Sequence, residues 1–412
     1  RDVLGSRGLG DVYKRQLLAP AGNLEKAKIA LIYGADAVYI GGKKFSLRAR
    51  ASNFELDDIK EICRFAHERN KKVYVTTNII PHDEDMDNLD AYLFALNEMK
   101  VDAIITSSLT IIERAKSLVP NIERHVSTQM SITNSKAISF YEHIGCQRVV
   151  LAREVTLKEI EMIKKASHLE LEIFIHGGMC SSYSGRCVLS NHLTNRDANR
   201  GGCAHSCRWN YILYKGNKKL PPKNQYFNMG SKDLMALKQI PKLIDLGVSS
   251  LKIEGRMKSV YYLATVVRCY RKLIDEYIST RSFDNKQLEY YIKEINKAEN
   301  RLTSVGFLEG MVKPMEQLYD TREEHPTKEY IGYILDYDLE HQMALVEQRN
   351  YFAKGDVVEL FGPTLNNTVL KIEKMIDYET KEEIDVARHP LQKLLIYMPV
   401  RVKKHDMMRK VK

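Results

Sequence analysis

The chain has 412 residues, of which 44% are hydrophobic and 28% charged. That composition gives a folded protein with a large core and excludes a disordered or fibrous chain. No apolar run approaches the roughly 20 residues of a membrane helix, so no membrane partner is expected. The formal net charge of +10 favours a polyanionic partner over a neutral one.

Residues 1–16, RDVLGSRGLGDVYKRQ, show no helical or strand period and no apolar core of signal-peptide length. They resemble translated adapter sequence and are expected to form a non-native or disordered extension, with the fold starting near Leu17. With no targeting segment in view, a cytoplasmic location is expected. Apolar runs then alternate with amphipathic segments. The runs predict strands at Leu17–Pro20, Ala37–Gly42, Val73–Asn78, Asp102–Ser108, Arg124–Met130, Arg148–Glu154, Glu172–Gly178 and Ser250–Arg256. Between them, Leu56, Ile59, Cys63 and Ala66 mark one helix face. Thr156 and Glu159 form a capping box, and Gly34 and Gly247 sit where helices should stop. Eight alternating units predict a TIM-like (β/α)8 barrel over residues 17–313.

The strand ends finish in polar or small residues, among them Asn78, Gln129, Arg153, Glu154, His176, Glu254 and Arg256. In such a barrel these ends share one face, where active sites sit. The plainer reading is that βα loops are simply polar, or that Arg153–Glu154 and Glu254–Arg256 are ion pairs stiffening the barrel mouth.

A long insertion, residues 178–226, breaks the rhythm and carries four of the seven cysteines: Cys180, Cys187, Cys203 and Cys207. Cys63, Cys146 and Cys269 read as core thiols. The spacing is Cys-x6-Cys, fifteen residues, then Cys-x3-Cys. Structural zinc sites usually leave two to four residues within each pair. Four thiolates in a glycine-rich loop fit an iron–sulfur cluster better, with zinc or unligated redox thiols as alternatives. His176, His192 or His205 could replace a ligand.

Beyond Arg256 the pattern predicts a helix over Val260–Ile278 and a charged helical stretch to about Arg301. A linker at 314–328 leads to a small β-barrel at 329–403. Its strands are expected at Tyr330–Asp336, Met343–Gln348, Val357–Gly362, Thr368–Ile376 and Leu394–Val402. Residues 404–412 are expected to be a solvated basic tail. The β domain's basic positions, such as Arg349, Lys371 and Arg401, are a candidate RNA-positioning face.

The stretch Glu172–Ser190 reads EIFIHGGMCSSYSGRCVLS. It resembles the signature of peptidase family U32, the collagenase-like proteins, at Glu172, Phe174, Gly177, Cys180, Gly185, Cys187 and Ser190. Gly178 departs from it, where the family usually has Ser or Ala. LLAPAGNLEKAK (Leu17–Lys28), GGKKFSLRARASNF (Gly41–Phe54), NRGGCAHSCRWNY (Asn199–Tyr211) and SLKIEGRMKS (Ser250–Ser259) also look like this family. The resemblance runs from about Leu17 to Arg401.

The two-domain form is similar to members that install 5-hydroxyuridine at the wobble position of tRNA, a route associated with prephenate. The resemblance thus implies a [4Fe–4S] cluster on Cys180, Cys187, Cys203 and Cys207, prephenate as co-substrate and tRNA as partner. It leaves room for a paralogous chain of the family as a second partner. On this reading Glu254, Arg256, His176 and Gln129 are the expected catalytic groups. Arg48, Arg153, Glu154, Asn78 and Lys258 are the expected substrate contacts. Arg256 could clamp one carboxylate, because a guanidinium fork matches two oxygens, and Arg48 or Arg153 the other. A peptidase is the alternative. It has no His-Glu-x-x-His helix or Gly-x-Ser-x-Gly elbow in its favour. A His176–Cys180 pair would leave three cysteines unexplained.

Overall fold

The computed structural model describes residues 15–47, 53–220, 226–282, 284–298, 301–318 and 330–411. The chain divides into two compact units, residues 1–292 with 301–323, and residues 293–300 with 324–412.

Seven strands of the first unit pair in parallel in chain order: β1 (Gln16–Pro20), β2 (Ala37–Gly41), β3 (Lys72–Thr77), β4 (Ala103–Thr106), β5 (Glu123–Val126), β6 (Arg148–Val150) and β7 (Glu170–Gly177). The eighth, β8 (Ser250–Ile253), pairs in parallel with both β7 and β1 and closes the barrel. These strands are almost wholly buried, as expected where helices cover a closed parallel sheet. The expected TIM-like barrel is therefore present.

Local chemistry explains the helices. Helix α1 (Leu24–Ile32) starts at Asn23, whose side chain accepts from Lys26 N. Helix α2 (Leu56–His67) buries Ile59, Ile62, Cys63 and Ala66; Leu56 lies in its first turn and stays exposed. The Thr156–Glu159 capping box opens the helix Leu157–Lys165. Gly34 follows α1 at φ +115°, and a Cβ there would meet Arg271 Cγ at 2.6 Å. Only glycine fits that left-handed, crowded turn.

Two boundaries differ from the sequence reading. Gln16, assigned to the extension, is the first residue of β1; it donates to Tyr74 Oη at 2.8 Å and accepts from Arg148 Nη1 at 2.6 Å. A polar residue at a strand start gives no hydrophobic signal, so the boundary was set one residue late. The strands also stop earlier than predicted. Ser107, Ser108, Ser127–Met130 and Leu151–Glu154 lie beyond β4, β5 and β6. Their polar groups therefore stand in loops at the barrel mouth.

The second unit holds a seven-stranded antiparallel sheet. Its strands are β9 (Tyr330–Asp338), β10 (Met343–Gln348), β11 (Val357–Phe361), β12 (Thr368–Lys371), β13 (Met375–Asp377), β14 (Lys393–Tyr397) and β15 (Met407–Lys410), in the order β12-β11-β15-β9-β10-β14-β13. Ile331, Val346, Phe352, Leu360, Ile396 and Met408 are among its core residues. The result is a half-barrel. The predicted strand Thr368–Ile376 is two strands, one at each edge of the sheet.

The expected solvated tail is corrected as well. Residues Met407–Lys410 form β15, which pairs with both β9 and β11. Its basic look misled because Arg409 is buried and neutralised. Its Nη2 lies 2.6 Å from Glu294 Oε2, and its Nε donates to Glu359 Oε2 at 2.6 Å. Asn367 and Lys297 complete the shell of Glu294.

Candidate functional site at the barrel mouth

A cavity of about 160 Å³ opens at the carboxyl ends of the strands. Tyr39, Thr76, Ile105, Phe174 and Lys252 line it from the barrel side, and Cys180, Cys187, Cys203 and Cys207 from the insertion. Asn78, Gln129, Arg153, Glu254 and Arg256 also line it. His205 lines it too, so the fold brings together these nine candidate residues and a possible tenth ligand.

The insertion is fixed over the cavity by the two strand-end glutamates. Glu154 accepts from Ser184 N at 2.7 Å and from Ser184 Oγ at 2.5 Å. Glu254 accepts from Gly178 N at 3.1 Å. Arg153 and Glu154 make no ion pair among the described residues. Instead Arg153 lies over the Phe174 ring at 4.0 Å. Glu154 therefore acts as an anchor for the cysteine loop and does not line the cavity.

Arg256 is buried, and its fork ties three elements together. Nη1 donates to Ser46 Oγ at 2.9 Å and Thr76 Oγ1 at 3.3 Å, and Nη2 to Asn53 Oδ1 at 2.8 Å. Gly41 makes room for it: a Cβ there would come 2.2 Å from Arg256 Nη2. Asn78 Nδ2 donates to Gln129 Oε1 at 3.3 Å, and Ser127 Oγ donates to the same oxygen.

Two further expected site residues fall elsewhere. His176 is fully buried behind the barrel wall, against the helix α3 (Val260–Thr280). Its Nδ1 is 3.2 Å from Tyr270 Oη, and its ring packs against Tyr262 and Tyr270. Lys258 does not line the cavity; its Nζ lies 3.8 Å from the buried Asp233 and over the Tyr262 ring. Arg48 lies outside the described residues.

The sequence reading missed the cavity floor. Lys252 is buried, 2.7 Å from Glu172 Oε1 and 4.5 Å over the Tyr39 ring. Glu172 also meets Arg148 Nη1 at 3.2 Å. Burial alone would raise the Glu172 carboxyl, but Lys252 and Arg148 outweigh it and hold it down at about 2. A charged residue inside each apolar run, Lys252 in SLKI and Glu172 in EIFI, was the available signal. Such residues enter a barrel core only when paired.

All seven cysteines are free thiols. Leu189 N donates to Cys187 Sγ at 3.3 Å, and Asn199 brackets the Cys187 backbone at 3.2 and 3.0 Å. Burial pushes the Cys207 thiol up, opposed by a hydrogen bond from Ser181 and by Arg208. Among the described residues, no three His, Cys, Asp or Glu side chains converge tightly enough to hold one metal ion. A four-iron cluster does not require that, because each thiolate binds its own iron. Four free thiols on one cavity, one already accepting an amide hydrogen, fit such a cluster as a donor set. Among the described residues no helix is long and apolar enough to cross a membrane.

Comparison with known proteins agrees with this architecture. The sequence pattern of peptidase family U32 matches residues 22–317, and that of the family's C-terminal domain matches residues 326–409. The chain is 47% identical to a tRNA hydroxylation protein P1 of Bacillus subtilis, over 97% of this chain and 95% of that one. It is 34% identical to tRNA hydroxylation protein P of Haemophilus influenzae, over 91% of each. It is 30% identical to a collagenase of Porphyromonas gingivalis, over 94% of this chain and 95% of that one.

Proposed function

We propose, from the premise that this chain belongs to peptidase family U32, that it is a tRNA-modifying enzyme that hydroxylates uridine at the wobble position. The observation that carries the reading is the 47% identity to a tRNA hydroxylation protein across nearly the whole of both chains. The site's chemistry is compatible with it. Cys180, Cys187, Cys203 and Cys207 would hold a [4Fe–4S] cluster, which supplies one-electron chemistry when bound.

The chain's own residues divide the remaining work. Glu154 and Glu254 hold the cysteine loop over the barrel. Arg256 and Arg153 present guanidinium groups to the cavity, where a small dicarboxylate such as prephenate would meet them. Gln129 and Asn78 offer hydrogen-bonding groups to a uracil edge. Phe174, Tyr39 and Ile105 exclude water from the floor.

A peptidase is the second reading, favoured by the collagenase relative. His176, packed behind the wall against Tyr270, is badly placed to serve Cys180 as a base.

The test is mass analysis of tRNA nucleosides from a strain lacking this chain, with and without a plasmid copy. The proposal expects 5-hydroxyuridine and its derivatives to fall in the deletion and return with the copy. They should also fall when prephenate synthesis is blocked. Unchanged nucleosides in the deletion strain would refute it.

A further inference from the structure

From Ala198 to Lys232 the chain contains no aspartate or glutamate but has seven lysines and arginines. It also carries the protein's single tryptophan, Trp209. Part of this segment is a hairpin standing on the insertion: Leu213–Lys215 pairs antiparallel with Lys218–Leu220 around Gly216, which sits at φ +59°. Its root is rigid. Tyr211 N donates to Phe227 O at 2.7 Å, Phe227 N returns a bond at 2.8 Å, and Met229 N donates to Cys207 O at 2.8 Å. The ribbon is therefore rooted directly on a cavity-lining cysteine.

The hairpin is poorly built for stability on its own. A two-stranded ribbon has no core, and a lone one is marginal in water. Here it exposes Ile212, Leu213 and Leu220, with Tyr214 62% exposed. Trp209 and Tyr226 at its root are also exposed. Lys215 stands directly opposite Lys218, with Lys219 next to it. Like charges paired across strands repel. Lys215, Lys218 and Lys219 make no ion pair among the described residues. Exposed aromatic faces interleaved with unneutralised cations are what single-stranded nucleic acid needs, rings for the bases and ammonium groups for the phosphates.

We propose that this hairpin is the docking surface for the substrate RNA. Trp209, Tyr214 and Tyr226 stack unpaired bases, Lys215, Lys218 and Lys219 hold the phosphates, and one base is delivered to the cysteine-lined cavity. The inference rests on the RNA-modifying reading above and adds the surface that recognises the RNA and the class it takes, an unpaired loop.

The test is fluorescence anisotropy with the full-length protein and a labelled anticodon stem-loop, across a salt series. The variants are Trp209→Ala, Tyr214→Ala, Tyr214→Phe and the triple Lys215→Glu/Lys218→Glu/Lys219→Glu. All these residues but Lys219 are exposed, and thermal unfolding checks that the variants remain folded. Tyr214→Ala should weaken binding at least about fivefold, the low end of base–aromatic stacking, while Tyr214→Phe binds like the parent. The triple variant should flatten the salt slope by about 2, since each lost phosphate contact on a single strand removes about 0.7. If the parent binds the stem-loop and every variant matches it in affinity and slope, the hairpin is not the RNA surface, and the RNA-modifying reading stands. If only the lysine variant weakens, and weakens duplex DNA equally, the contact is a non-specific polyanion site and the stacking proposal is overturned. If the parent binds no RNA even at low salt, the RNA-modifying reading falls, and this inference with it.

Discussion

Replacing Glu172 by glutamine tests whether the charged cavity floor is held as described. Glutamine keeps the shape but leaves Lys252 and Arg148 buried without their shared carboxylate. The fall of the Glu172 carboxyl from 4.5 to about 2 corresponds to about 3 kcal/mol in favour of the folded state. The group is fully buried, so solvent screening does not discount it. Removing one partner of a buried ion pair costs about 3–5 kcal/mol, which agrees. Because the folded carboxyl is depressed, its contribution is complete above pH 4.5 and is lost as pH falls towards 2. Urea unfolding, followed by hydrogen exchange of the β7 and β8 amides, reports on this unit. At pH 7 the variant should lose about 3 kcal/mol, and the gap from the parent should close between pH 4.5 and 2. Adding Lys252→Met should recover part of the loss, because a neutral floor no longer needs the carboxylate. A loss below about 1 kcal/mol, or a gap that does not change with pH, would show that the Glu172 carboxylate does not neutralise the floor.

Arg256→Lys keeps the charge but cannot span Ser46, Thr76 and Asn53. Losing charge-assisted bonds worth about 1.5–3 kcal/mol should lower the thermal midpoint by several degrees, while losing the bidentate fork at the cavity should cut tRNA modification by the folded protein about 10- to 100-fold, measured as rate by nucleoside analysis. Arg409→Met leaves the buried Glu294 and the half-buried Glu359 with Lys297 as their remaining cation and should destabilise the second unit by about 3 kcal/mol, the low end for a broken buried pair, read by hydrogen exchange in β9 and β11. Truncation after Val402 should abolish protection of β9, since it removes the β15 strand from the sheet; normal protection would mean the tail is dispensable. Cys207→Ser should lose bound iron and the broad visible absorbance of the anaerobically purified protein; retained iron would show that this thiol is not a ligand.

The barrel was legible because its strands are short apolar runs and its helices carry caps that work locally, such as Asn23 and Thr156 with Glu159. The site was legible where position along a strand decides it: Asn78, Gln129, Arg153, Glu254 and Arg256 follow strand ends and line the cavity. His176 was not, for a reason peculiar to β7. Simple alternation puts residues 172, 174 and 176 on one face. The β7–β8 pairing shifts register between Lys252 and Ile253, and the next partners are Phe174 and then His176. The break re-aims His176 outwards, under α3. The anchoring contacts of Glu154 and Glu254 were not legible, because their partners Ser184 and Gly178 lie 30 and 76 residues away in sequence. The β15 strand was lost for a similar reason. The burial of Arg409 depends on Glu294 and Glu359, which no local pattern connects to it.

On the proposed reading, tRNA is hydroxylated at the four-cysteine cavity of the barrel mouth. The most direct measurement is 5-hydroxyuridine content in tRNA from the deletion strain carrying either the parent chain or Cys203→Ser at equal protein levels. The parent should restore the nucleoside fully and the variant not at all. Restoration by Cys203→Ser at the parent's level would contradict that reading.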